Sequence, residues 1–219
     1  MVRDGFFYAL GLGVVAYVLY LVTHSHVLAA VPLALAAFFL WFFRDPPRTI
    51  PSGPGQIVSP ADGMVTEAEW IETTTGSRLR LSIFLSVFDV HVNRSPVSGT
   101  VKVVEFREGK FMNAIKPESV LNNEQTLIVI DAGGYEVGMK QIAGLLARRI
   151  VCNLKPGDRV ERGQRIGLIK FGSRVDVLLP AEANLKVKTG SRVRGGATVL
   201  AELPESKTSQ QLTATAAVA

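Results

Sequence analysis

Lys155-Pro156-Gly157-Asp158-Arg159-Val160-Glu161-Arg162-Gly163-Gln164-Arg165-Ile166 returns as Lys188-Thr189-Gly190-Ser191-Arg192-Val193-Arg194-Gly195-Gly196-Ala197-Thr198-Val199, at a constant offset of 33 residues. The matched positions are Lys, Gly, Arg, Val, Gly and a β-branched residue. They describe a turn at the first glycine, an inward valine, a second turn and then a strand. Between the copies lies Lys170-Phe171-Gly172-Ser173-Arg174-Val175-Asp176, where a glycine and a serine interrupt two apolar β-type runs. Gly-Ser alone is common turn punctuation. Its company gives it weight: with Asp62 in Ser59-Pro60-Ala61-Asp62-Gly63 and His91 in Phe88-Asp89-Val90-His91-Val92-Asn93-Arg94, Ser173 completes an aspartate, a histidine and a serine on separate segments. Such trios are defined by geometry and not by order in the chain.

Outward from the repeat, short β-prone runs separated by glycine turns occupy Gly63–Ala68, Leu79–Leu85, Gly99–Val104, Thr126–Ile130 and Tyr135–Met139. Their close spacing predicts an antiparallel barrel or sandwich. Gln141–Ile150 is the best helix candidate, although Ile142, Leu145, Leu146 and Ile150 suit a strand equally. The expected fold is therefore mainly β, and the repeated units resemble the half-motifs of biotinyl/lipoyl-like hybrid barrels, in which two interlocked halves share a core.

Two uncharged apolar runs, Phe6–Thr23 and Val27–Phe43, open the chain, separated only by His24-Ser25-His26. Each is near the lower limit for crossing the hydrocarbon layer, about 17 to 25 residues, so the reading is an N-terminal transmembrane helical hairpin, with a shallow re-entrant pair as the variant that Pro32 allows. A cleaved signal peptide fits less well, because a second run follows at once and Trp41-Phe42-Phe43-Arg44 forms an aromatic belt closed by a charge. Arg3, Arg44 and Arg48 put both ends of the hairpin, and the rest of the protein, on the cytoplasmic side of the cell membrane. The expected organisation is a hairpin at 1–48, a Pro/Gly linker at 49–55, a catalytic β domain at 56–203 and a disordered tail at 204–219.

The single cysteine, Cys152, excludes an intrachain disulfide framework and reads as core packing. His24 and His26 form a His-x-His pair without the rest of a metal site, since the third histidine is His91; they read as a polar hairpin tip, and no metal is expected. The net charge of +5 is concentrated between Arg148 and Arg174, where only Asp158 and Glu161 oppose the basic residues. With a membrane anchor on the same chain, an anionic lipid surface is the natural partner, at about 1 kcal/mol per basic residue held near it. Nucleic acid is not expected, because no aromatic residues interleave with the basic ones.

Taken together, Ser59-Pro60-Ala61-Asp62-Gly63, the run Phe84–Gly99 with Asp89, His91 and Arg94, Lys110-Phe111-Met112-Asn113-Ala114 and Phe171-Gly172-Ser173 resemble the phosphatidylserine decarboxylase family, most closely its short pyruvoyl-dependent bacterial and archaeal members. The resemblance covers Gln56 to Leu203. It implies that Ser173 Oγ attacks the carbonyl of Gly172, that the chain parts between Gly172 and Ser173, and that residue 173 becomes a covalent pyruvoyl cofactor. That group would decarboxylate phosphatidylserine to phosphatidylethanolamine and CO2 through a Schiff base. It implies two fragments that remain together, a β chain of 1–172 and an α chain of 173–219, and is compatible with a homo-oligomer. His91 would be the base and proton donor. Asp62 would orient it, with Asp89 competing for that place. Arg94 stands where larger members carry a second histidine, and its charge suggests a contact to the lipid phosphate. Arg174 follows the serine where many members have a small hydroxyl residue. The competing reading is a non-catalytic, membrane-anchored lipoyl-like adaptor or carrier, against which the junction at Ser173 lacks the lysine on a tight turn that a carrier needs.

Overall fold

The computed structural model describes residues 3–73, 76–115, 118–145, 149–169 and 172–204. The chain divides into two compact units, Met1–Pro47 and Arg48–Ala219. Residues 205–219, read above as most of a disordered tail, lie outside the described residues.

The first unit is a pair of helices, α1 (Arg3–Thr23) and α2 (His26–Phe42). Ser25 caps α2 by accepting the N–H of Leu28 at 3.4 Å. His24, with φ of 51°, turns the chain, and both His24 and His26 lie against the Tyr20 ring. At the other end Tyr8 packs on Phe39 and Phe43, and Gly5 admits the Phe43 side chain where a Cβ would stand 2.5 Å from it. Asp4–Thr23 is the one helix among the described residues that is long and apolar enough to cross a membrane; His26–Phe42 is apolar but shorter. Twenty residues span about 30 Å at 1.5 Å each, the thickness of the hydrocarbon layer. The Arg44 guanidinium closes this unit over the Trp41 ring, 4.1 Å from its centroid.

The second unit is built of antiparallel strands: β1 (Gln56–Val58), β2 (Gly63–Thr73), β3 (Gly76–Leu85), β4 (Val92–Arg94), β5 (Gly99–Arg107), β6 (Gln125–Asp131), β7 (Glu136–Ile142), β8 (Ile150–Cys152), β9 (Arg159–Val160), β10 (Arg165–Ile169), β11 (Ser173–Leu179), β12 (Asn184–Leu185), β13 (Arg192–Val193) and β14 (Val199–Glu202). Alternation decides which face each strand buries. Leu79, Leu81, Ile83 and Leu85 of β3, Val175, Val177 and Leu179 of β11, Val137 and Met139 of β7, and Ile128 and Ile130 of β6 all face one shared core. Full burial of an aliphatic side chain is worth about 1.5–3 kcal/mol, so this face outweighs any local propensity.

The strand order is a palindrome. A large curled sheet runs β13-β2-β3-β11-β7-β6-β5-β9, flanked by β1-β14-β12 and β4-β10-β8. Reading β1, β2, β3, β11, β12, β13, β14 against β4, β5, β6, β7, β8, β9, β10 pairs every strand with a counterpart in the same place. The bonds repeat as well. Gly157 N–H reaches Val101 O as Gly190 N–H reaches Val65 O, and Gly163 N–H reaches Ser95 O as Gly196 N–H reaches Ser59 O. Ser59 and Ser95 each donate to the carbonyl two residues on, Ala61 and Val97. Val58 N–H binds Pro96 O while Arg94 N–H binds Pro60 O. The fold is thus a duplication in which the second half, β4–β10, is inserted into the first between β3 and β11.

The helix expected at Gln141–Ile150 does not form over Gln141 and Ile142. These residues complete β7, held between β11 and β6 in register Val175↔Gln141 and Gln125↔Ile142. Leu145, which suggested a buried helical face, is exposed. Two-sided strand pairing satisfies the backbone here and leaves no carbonyl for a helical turn.

Candidate active site

Ser173 opens β11, the strand at which the inserted half hands the chain back to the first. It lies opposite Leu85, the last residue of β3. Its side chain falls on the face of Val175, Val177 and Leu179, is 0 % exposed, and its Oγ has no hydrogen-bond partner among the described residues. A buried hydroxyl left alone costs about 1–3 kcal/mol. Packing does not require it, since alanine would fill the position without that cost.

The residue before it is gripped from two sides. Gly172 has φ of +56°, the left-handed region that glycine enters freely. Its N–H donates to His91 Nε2 at 3.3 Å, and a Cβ on Gly144 would stand only 1.8 Å from its carbonyl oxygen. His91 is 3 % exposed, and an Nε2 that accepts a backbone N–H carries a lone pair rather than a proton. A nitrogen lone pair therefore lies against the Gly172 N–H, one residue from a buried hydroxyl.

Gly144 has no local signal in Ala143-Gly144-Leu145, and its importance appears only when β7 is laid beside β11. Gly144→Ala is expected to displace the Gly172 carbonyl, because both crowded partners are backbone. A misplacement of about 1 Å costs a positioned reaction on the order of 100-fold. Any reaction at this peptide should slow by that factor, measured as a rate on freshly refolded chain.

Asp62 and Asp89 point elsewhere. Asp62 accepts Arg48 Nη2 at 2.7 Å through Oδ2 and Gly195 N–H at 2.8 Å through Oδ1. The second bond belongs to the duplication, since Ser98 Oγ accepts Arg162 N–H at 2.9 Å in the other half. Asp89 closes its own turn by accepting the N–H and hydroxyl of Ser86, and pairs with Arg192. Arg94 is buried across two equivalent glycine turns, donating to Gly163 O at 3.1 Å with its Cδ against Gly196.

Arg174 turns to the opposite face from Ser173. There it donates to both carboxylate oxygens of Glu67, at 3.2 and 2.6 Å, to Asp176 Oδ1 at 2.7 Å and to Ser82 Oγ. Arg174 and Asp176 are each 1 % exposed, and the cluster anchors β11 one residue beyond the serine. Burial pushes the Glu67 carboxyl up, but hydrogen bonds and charge from Arg174, then Arg80, outweigh it and hold the group below its usual 4.5. Stability from this carboxylate is therefore complete above pH 4.5, its unfolded value, and is lost as pH falls through the lower folded value. Glu67→Gln is expected to lower the melting temperature at pH 7, with the difference from wild type closing as the melts are taken to more acid pH.

A family model described as phosphatidylserine decarboxylase matches residues 35–201. The chain belongs to the phosphatidylserine decarboxylase family. A protein of Solibacter usitatus named phosphatidylserine decarboxylase proenzyme is 49% identical over 203 residues, which is 92% of this chain and 96% of that one. One of the same name from Oleidesulfovibrio alaskensis is 45% identical over 91% of this chain and 93% of its own, and one from Symbiobacterium thermophilum is 50% identical over 81% and 85%. Against a family whose relatives are named proenzymes, the features that sequence alone did not reveal are the Gly144 contact, the Glu67 clamp on Arg174, and a buried amide pair, Asn93 and Gln141.

Proposed function

We propose that this chain is the precursor of a pyruvoyl-dependent phosphatidylserine decarboxylase that cuts itself between Gly172 and Ser173. The observation that carries the reading is the buried Ser173 hydroxyl, without a partner among the described residues, beside a Gly172 whose N–H rests on His91 Nε2. Serine needs a neighbouring base to act as a nucleophile. Ser173 Oγ bonds to the Gly172 carbonyl carbon while the Gly172–Ser173 C–N bond breaks, and the hydroxyl proton passes by way of His91 to the freed amine. The ester that results loses its Cα proton and expels the Gly172 carboxylate. The dehydroalanine left at 173 tautomerises, takes up water and releases ammonia, leaving a ketone carbonyl.

Decarboxylating an amino acid leaves a pair of electrons on carbon that no ordinary side chain can delocalise, and this carbonyl supplies the sink. The residues present suit it: Ser173 stands in an apolar face, and His91 is within reach to return a proton to the carbon that lost CO2. The Arg94 guanidinium, which donates to Gly163 O, would make the contact to the lipid phosphate. Asp62 ties Arg48 to the turn at Gly195, and orienting His91 would require it to exchange those bonds. The apolar helices keep the enzyme at the membrane of its substrate, and Arg3, Arg44 and Arg48 favour the cytoplasmic side.

Denaturing mass spectrometry of the purified full chain tests this. Two fragments divided between 172 and 173 are expected, the smaller blocked to amino-terminal sequencing and titratable by a carbonyl reagent, with CO2 released from phosphatidylserine vesicles. A single uncut wild-type chain that releases no CO2 would overturn the proposal in favour of a lipoyl-like adaptor.

A further inference from the structure

Ser173 Oγ, Asn93 Nδ2 and Gln141 Oε1 are among the buried polar atoms of the second unit that have no hydrogen-bond partner among the described residues. Asn93 and Gln141 are each 0 % exposed and are bonded to one another, Gln141 Nε2 donating to Asn93 Oδ1 at 2.8 Å. Rotating both amides by 180° exchanges their roles but leaves the same remainder, one NH2 group and one carbonyl. Gln141 faces Val175 across the β7–β11 pair, which makes it the diagonal neighbour of Ser173 on the same face, roughly 7 Å away and within reach of a long side chain. Asn93 stands in β4, two residues from His91, which immediately precedes that strand.

The duplication shows that the fold does not need them. Ser59 and Ser95 are equivalent, so the counterpart of Asn93 is Ile57, a fully buried core residue. Where one half buries an isoleucine, the other buries an amide with an orphan donor, at a cost of about tenfold or more in stability per orphan. Of the two halves, the amide lies in the one that also carries His91.

Resting on the function proposed above, we infer that the Asn93–Gln141 pair is the recognition site for the α-amino-carboxylate end of the serine headgroup. The spare NH2 group donates to the carboxylate and the spare carbonyl accepts from the ammonium. A neutral donor holds the carboxylate without the fixed positive charge that would stabilise it against loss. Phosphatidylethanolamine keeps the ammonium but has no carboxylate, so the product strands the amide donor again and binds more weakly. One hydrogen bond to a charged group corresponds to about 10- to 100-fold in affinity.

The test uses cleaved full-length enzyme whose carbonyl has been reduced with borohydride, so that ligands bind without turnover. Calorimetric titration should give glycerophospho-L-serine an advantage over glycerophosphoethanolamine of about 10- to 100-fold. Asn93→Leu should abolish that advantage, and Asn93→Asp should reverse it, since a second carboxylate repels the first; a purely structural role would not change the sign. Equal affinity of the wild type for the two esters overturns the inference whatever the variants do, as does a preference that survives Asn93→Leu. L-serine binding as tightly as its glycerophospho ester would overturn the assignment to a lipid headgroup. An uncut wild-type chain, by contrast, has no carbonyl to reduce and fails the underlying reading at an earlier step.

Discussion

A chain carrying Ser173→Ala is expected to remain one uncut polypeptide with no decarboxylase activity, and to melt at or above the temperature of the wild-type precursor. The first half of the expectation is chemical: without Oγ nothing can bond to the Gly172 carbonyl, so neither the break nor the carbonyl that depends on it forms. The second half is physical. The hydroxyl is buried and has no partner among the described residues, so its removal relieves about 1–3 kcal/mol and opens no sizeable cavity. Mass spectrometry reads the first outcome and calorimetry the second. A variant that stays whole but melts well below the precursor would mean that Ser173 is a structural residue.

His91 carries the next largest effect. His91→Ala removes both the base and the acceptor for Gly172 N–H, and self-cleavage should fall by about 100- to 10,000-fold, the range for a positioned general base. His91→Gln separates the two roles, because a glutamine amide oxygen can accept the N–H but does not take up a proton at neutral pH. It should cleave as slowly as His91→Ala. Imidazole added to the alanine variant should restore part of the rate, whereas the glutamine variant, its space filled, should not respond. Cleavage of His91→Gln at the wild-type rate would assign His91 to holding Gly172 alone.

Much of this molecule was legible before its structure. The offset of 33 residues between Lys155–Ile166 and Lys188–Val199 reappears as paired turns, with Gly157 and Gly190, then Gly163 and Gly196, all at positive φ. A second offset, 36 residues between Ser59-Pro60 and Ser95-Pro96, is short and easily passed over, yet it shows that the strands preceding those turns are duplicated too. Over Gln141 and Ile142 the strand alternative to a helix holds, because a spacing of three and four residues also arises where a two-sided strand ends in a loop, and only the partners β6 and β11 decide between them. Arg174 stood out as unusual, but the Glu67 that explains it is 107 residues away. Asp62 shows a different limit. An aspartate in a Pro-Ala-Asp-Gly turn looks the same whether it caps a neighbouring loop or serves a histidine, and Gly195, which takes one of its oxygens here, is distant in sequence.

The insertion of one half into the other has a thermodynamic consequence for the cut molecule. Of the strands that would lie beyond the break, β11 to β14, only the short β12 and β14 pair with each other; β11 runs between β3 and β7, β13 lies along β2, and β14 also pairs with β1. The precursor can unfold and refold as a single chain, by a first-order process. After the break the same unfolding releases two polypeptides, and recovery becomes second order, dependent on how often dilute partners meet. The mature enzyme would then persist by the slowness of its unfolding, while the shape it holds was reached when it was still one chain.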